Sequence, residues 1–376
     1  MSSVCDRYMV SGSGQRWKQC HASTLVQDPS SGIITVAWFA GEREGAQDNA
    51  IWMTRGTIGG SWDEPKVVLR GYRRSWWNPV LSYAPDGSLW LFAKNGPLIS
   101  RWTTYARVSH DGGATWEPAF ELVPDDQQGG RGPVKNPPLV TSQGTWVAPN
   151  SVESGGDEAR WNCRFDISTD SGRHWSLSEV PLDRSSLRGA GIIQPTLWQS
   201  GDALVAVCRS TEGRAFRTQS HDDGKTWSQA VPVALEQNNS GFCALRLPGA
   251  SGRVVIVHNP GSDSWGPRCP LVISVSDDDG LTWKQQLVVE DGTTPPQTPY
   301  GVQLPALDES QMVEGYEAGD AGIVTSGLRE YSYPTMVQGS SNDVLVSYTW
   351  QRRGIIVARI GLEALCDSSP AGETPC

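Results

Sequence analysis

One eight-residue pattern, Ser-x-Asp-x-Gly-x-Thr-Trp, constrains this chain more than any other feature. It occupies residues 109–116 (SHDGGATW), 168–175 (STDSGRHW), 220–227 (SHDDGKTW) and 276–283 (SDDDGLTW). A decayed copy, GTIGGSW, ends at Trp62. The successive tryptophans stand 54, 59, 52 and 56 residues apart. A period near 55 is that of a propeller or a solenoid, so the 376 residues can form one body. Each copy has the chemistry of a hairpin turn. Asp accepts hydrogen bonds from nearby backbone N–H groups, and Gly takes positive φ without steric cost. Trp offers a large face to pack between neighbouring sheets. His110, His174 and His221 lie inside copies of the pattern and are assigned to turns.

A second repeat marks the strands nearest a central axis. It is a polar residue, often followed by Pro, then an aliphatic run, a turn and a second hydrophobic strand. The polar residues are His21, Asn78, Asn136, Gln194, Ser240 and Tyr333. The first four are 57, 58 and 58 residues apart. Six such units predict an all-β fold, a six-bladed β-propeller of four-stranded antiparallel blades. One domain over residues 1–365 is expected, with a polar, disordered tail at 366–376. Pro is tolerated at the first position of a strand, where no ladder donor is lost. The six starting residues are therefore expected to point into one shared pocket. Strand ends and loops bring Glu42, Arg43, Asp48, Lys94, Lys135, Arg209, His258 and Arg268 near it.

The eight-residue pattern is the Asp box, and the chain resembles the sialidase (neuraminidase) superfamily of Asp-box (BNR) repeat proteins over roughly residues 18–360. That resemblance implies three arginines around a sugar carboxylate, a Tyr nucleophile activated by a Glu, and an Asp that protonates the leaving group. Arg209 in VAVCRS and Arg268 match two of the arginines. Where the first arginine is expected, the chain has His21. Glu42-Arg43-Glu44 with Asp48 matches the stretch that carries the acid, which makes Asp48 the general-acid candidate. Gln194, fifteen residues before Arg209, stands where the Glu is expected. Tyr331-Ser332 matches the nucleophile pair. Tyr333, two residues on and so on the same face of a regular strand, competes for the role.

The catalytic candidates are thus Asp48, Tyr331 and His21. Arg43, Asn78, Lys135, Asn136, Gln194, Arg209, His258, Arg268 and Tyr333 are candidates for binding substrate. The implied function is exo-acting cleavage of a glycosidic bond to a terminal acidic sugar, sialic acid or a relative. The two replacements leave other readings open. A uronate-directed lyase or glycosidase could use His21 or Tyr331, since histidine titrates near neutrality. A propeller that binds glycan without cleaving it is the third reading. No cofactor and no metal are implied.

Composition narrows the partners. A net charge of −10 argues against a nucleic-acid-binding surface, which needs a basic field, but leaves room for local arginines that hold an anionic glycan. No stretch approaches the roughly 18 apolar residues that span a bilayer. Residues 1–17 carry no apolar core of a secretory signal. A cytoplasmic location is expected if the chain is native, and a secreted one if a leader was removed. The eight cysteines show no metal spacing, and those in apolar runs, such as Cys208 and Cys243, read as small buried hydrophobes. Residues 276–280 resemble part of a calcium loop but lack its twelfth-position Glu. One of Trp76 and Trp77 is a candidate sugar-stacking platform beside Asn78. The long stretch 291–327 is expected to form a lid or rim over the pocket.

Overall fold

The computed structural model describes residues 5–12, 16–71, 74–126, 129–155, 159–249, 252–298 and 317–366. Six four-stranded antiparallel sheets are arranged as blades, with almost no helix. Their innermost strands are Gln19–Gln27, Trp76–Tyr83, Leu139–Val140, Ile192–Ser200, Cys243–Arg246 and Tyr331–Gln338. Blades one to five each run outward in chain order. Blade six is built differently. Tyr331–Gln338, Asp343–Trp350 and Gly354–Gly361 are completed by Cys5–Gly12 from the other end of the chain. An extra two-stranded hairpin, Glu317–Gly319 with Gly322–Val324, lies between blades five and six in sequence. The proposed tail, apart from Cys366 in the short helix Glu363–Cys366, falls outside the described residues.

The Asp boxes fold as their chemistry predicts. In the third complete copy the Asp222 carboxylate accepts from Thr226 N (2.8 Å), Thr226 Oγ1 (2.6 Å) and Ser220 Oγ (2.8 Å). His174 takes the place of threonine in the second copy, its Nδ1 lying 2.6 Å from Asp170 Oδ2. Each box packs on the blade before it. Trp227 of blade four stacks on Phe165 of blade three, with centroids 4.0 Å apart. Trp283 of blade five meets Trp198 of blade four edge-on. The boxes therefore act as fasteners between blades and stand apart from the axis.

The inner strands are not regular. In blades one, two, four and six the pairing of first and second strands slips at a bulge. One residue in each bulge has left-handed φ: Ala22 (53°), Asn78 (36°), Gln194 (50°) and Tyr333 (52°). Three of them precede proline. Non-glycine residues in this region are strained and persist only where surrounding structure holds them, often at functional sites. A bulge also re-aims a side chain. The blade-one equivalent of Asn78, Gln194 and Tyr333 is thus Ala22, one residue beyond the His21 expected from the sequence. In blades three and five the inner strand begins after Asn136 and Ser240, which lie in the preceding loops.

Candidate functional site

The inner ends of the strands surround a cavity of about 680 Å³, the size of a small-ligand site. Tyr333 lies in its floor. The phenol oxygen accepts from Arg209 Nη1 (2.7 Å) and Gln194 Nε2 (3.3 Å). Arg209 also donates to Gln194 Oε1 (2.9 Å) and, through Nε, to Asn239 Oδ1 (2.7 Å). Its charged head lies 5.7 and 5.4 Å from the ring centres of Trp161 and Trp265, which form part of the wall. All of these partners are neutral. Among the described residues no carboxylate forms an ion pair with Arg209, which is only 2% exposed.

A charged network lies behind the floor. Glu330 accepts from Arg268 (2.8 Å), Arg352 (3.0 Å) and Ser332 (2.6 Å), and Arg352 also pairs with Glu44. Burial alone would raise the Glu330 carboxyl, but Arg352 and Arg268 hold it at about 2. His21 packs on the Tyr333 ring, with centroids 4.3 Å apart, and its Nδ1 is 3.1 Å from Thr349 Oγ1. Burial, followed by the nearby charges of Arg352, Arg268, Arg209 and Lys135, lowers its pKa well below the ordinary histidine value, so the ring is neutral.

The structure brings some expected residues together and separates others. Asn78, Gln194, Arg209 and Tyr333 line the cavity. Arg268 is buried under the Tyr333 ring, 5.5 Å from its centre, where Glu330 compensates its charge. His21 stands behind Tyr333 and outside the cavity lining. Tyr331 points the other way, into the apolar core between blades five and six, where burial raises its pKa. It shares no face with Tyr333, because the bulge after Ser332 intervenes. Asp48 is exposed on a loop and caps the Glu42 N–H with both carboxylate oxygens (3.2 and 3.0 Å). Arg43 is exposed and bonds the Glu44 carbonyl.

Lys135 closes the axis below the site. Its ammonium donates to Asn136 Oδ1, the Phe242 carbonyl and the Pro334 carbonyl, and burial pulls its pKa down to about 8. Asn136 donates to the Pro195 carbonyl (3.0 Å), and His258 lies 2.9 Å from Ser274 Oγ. Lys94 is spent on the Arg131 and Gly132 carbonyls and on Thr104. These four are structural ties between blades or strands. Trp76 and Trp77 are buried, Trp77 donating to the Gly96 carbonyl, so neither offers a stacking face.

Several cavity residues escaped the sequence reading. Trp161, Trp265 and Glu153 line it, with Arg188, Glu212 and Asp263 farther round; Trp102 and Glu44 line it as well. Gly319, Asp320 and Ile323 of the extra hairpin complete the rim, so within 291–327 it is this hairpin that borders the cavity. Asp320 fastens that hairpin to blade two by accepting from Ser100 N (2.8 Å) and its hydroxyl. Trp161 and Trp265 belong to neither repeat, which is why pattern alone passed over them. Among the described residues no group of three or more His, Cys, Asp or Glu side chains is placed to hold a metal.

Comparisons with known proteins agree with this architecture. The family model described as BNR repeat-like domain matches residues 32–346. A protein of unknown function from Dyadobacter fermentans superposes with a TM-score of 0.67 at 15% identity, covering 94% of this chain and 98% of that one. A Hadza microbial sialidase gives 0.68 at 15% identity, over 95% and 69%. The NanB sialidase of Streptococcus pneumoniae, as its K499G mutant, gives 0.65 at 12% identity, over 94% and 70%. A search of curated proteins finds no match. At these identities the structural likeness establishes a shared fold.

Proposed function

Since the chain belongs to the BNR repeat-like domain family, we propose that it is an exo-acting, sialidase-like enzyme that cleaves the glycosidic bond to a terminal acidic sugar. The observation that carries this reading is Arg209. A guanidinium almost wholly removed from water, with neutral hydrogen-bond partners and an open cavity beside it, has among the described residues no carboxylate in ion-pair contact, the compensation that buried ions require. A sugar carboxylate supplies that charge, and the planar fork of arginine suits it. Tyr333 sits within the same network. With Arg209 and Gln194 both donating to its oxygen, its own proton is left for a ligand. Its oxygen is the nucleophile in this reading, and Arg209 stabilises negative charge there.

The rim has the opposite character. Glu44, Glu153, Glu212, Asp263 and Asp320 outnumber Arg188 and Arg209 among the lining residues. Such a rim repels a polyanion. It admits a chain that carries one terminal acid followed by neutral sugars, and the single axial cavity suits exo action.

Release of fluorophore from an umbelliferyl sialoside tests the reading. The parent should turn over, and Tyr333→Phe should lower the rate at least about a hundredfold. Tyr331→Phe, which changes a side chain in the core, should stay within about threefold because it touches no part of the cavity. A parent that binds sialosides without turnover would be a glycan-binding propeller. The reverse ranking of the two variants would move the nucleophile back to Tyr331.

A further inference from the structure

Resting on that reading, we propose that Glu153 is the proton donor to the departing sugar, the task that the resemblance assigned to Asp48. Glu153 ends the strand Trp146–Glu153 of blade three and lines the cavity. Directly across the ladder stands Trp161, whose ring lies against Arg209, so the chain geometry places Glu153 one side chain from the proposed carboxylate site. Asp48 is on an exposed loop, with both oxygens occupied by a backbone N–H. Three of the other four lining carboxylates are committed. Glu44 pairs with Arg352, Asp320 holds Ser100, and Glu212 accepts from the backbone of Arg188 and Gly189.

The electrostatics suit the task. Desolvation in the cavity wall, opposed by Arg209 and reinforced by Asp320 and Glu44, pushes the Glu153 carboxyl up to about 7. It therefore carries a proton below neutrality, where an ordinary carboxyl has lost it.

The step balances as follows. The bond from the anomeric carbon to the glycosidic oxygen breaks with its electron pair on that oxygen. The oxygen takes the Glu153 proton and leaves as an alcohol. A lone pair of the Tyr333 oxygen closes on the anomeric carbon, and the phenol proton passes to water. Glu153, now a carboxylate, then takes a proton from a second water whose oxygen displaces Tyr333, and the phenolate regains a proton from solvent. One water is consumed, and one alcohol and one free sugar are formed.

Two substrates separate the assignment from the reading beneath it. A sialyl galactoside has a poor alkoxide leaving group and needs the acid. An umbelliferyl sialoside leaves as a stabilised phenolate and needs it far less. Glu153→Gln should slow the galactoside at least about a hundredfold and the umbelliferyl sialoside less than about tenfold. The galactoside rate of the parent should fall above pH about 7, and Glu153→Gln should lack that fall. Infrared difference spectra at pH 6 give a readout independent of turnover. The parent should show a protonated-carboxyl band that Glu153→Gln lacks. Equal slowing of both substrates, galactoside hydrolysis at the parental rate, or no such band would overturn the assignment. A parent that hydrolyses neither substrate would overturn the function itself and this role with it.

Discussion

Arg209 and Glu330 are both buried ions near Tyr333, yet their surroundings differ. Glu330 has two guanidinium partners, whereas Arg209 has neutral ones. Glu330 is thus a stabilising element and Arg209 a binding group. Because Glu330 is held at about 2, below the ordinary carboxylate value of about 4.5, its stabilisation is present above pH 4.5 and is lost as pH falls towards 2. Glu330→Gln leaves two buried guanidiniums without that countercharge and should cost about 3–5 kcal/mol at pH 7. Denaturant melts between pH 7 and 2 should show the gap between parent and variant closing only below pH 4.5. A constant gap over that range would remove the ion-pair account. Arg209 as a carboxylate-binding group and Tyr333 as a competitor for the nucleophile were legible in the sequence, but the neutral surroundings of Arg209 were not. Nothing in a linear pattern shows which arginine has a carboxylate behind it.

At the scale of the element, the Asp boxes and the inner-strand bulges make a contrast. A box is a local turn, closed by bonds between residues at most four apart, so its pattern reads directly as structure. Gly224 shows how tightly the boxes also fasten blades. Its φ is +83°, and a Cβ there would lie 3.0 Å from Ile167 Cδ1 and 3.1 Å from Val147 of blade three. Gly224→Ala should destabilise the protein by about 1–3 kcal/mol, read as a lower denaturant midpoint with an unchanged slope. No change in midpoint would mean that the turn relaxes freely. The bulges are less visible in sequence. Proline after Asn78, Gln194 and Tyr333 marked the positions, but the extra residue in the ladder was not evident. That residue separates Tyr331 from Tyr333 and shifts blade one from His21 to Ala22. A regular strand would have put both tyrosines on one face; the slip in pairing sends them to the core and to the axis.

For the whole molecule, the decisive feature is how the ring closes. Cys5–Gly12 supplies the outer strand of blade six and covers the edge of Gly354–Gly361, so the two ends of the chain share one sheet. Arg7 from that strand pairs with the buried Glu290 of blade five, which also accepts from Tyr348 of blade six (3.0 Å). Arg7→Met leaves Glu290 buried without its cation and should cost about 3–5 kcal/mol. Thermal unfolding should show a single transition at a lower midpoint, because the strand belongs to the same cooperative ring. A separate early transition, or an unchanged midpoint, would show that blade six does not depend on this closure.

The amino-acid sequence by itself determined the all-β class, the blade number, the turn chemistry and most of the floor of the cavity. These follow from local hydrogen bonding and from a repeat period near 55, both of which are written along the chain. Tertiary structure alone decided which tyrosine faces the axis, which carboxylates gather at the rim, that Trp161 and Trp265 flank Arg209, and that the first strand closes the last blade. Each of these depends on residues far apart in sequence meeting across blades, or on a one-residue slip in pairing. Burial and charge at a site are sums over such neighbours, and no single segment carries them.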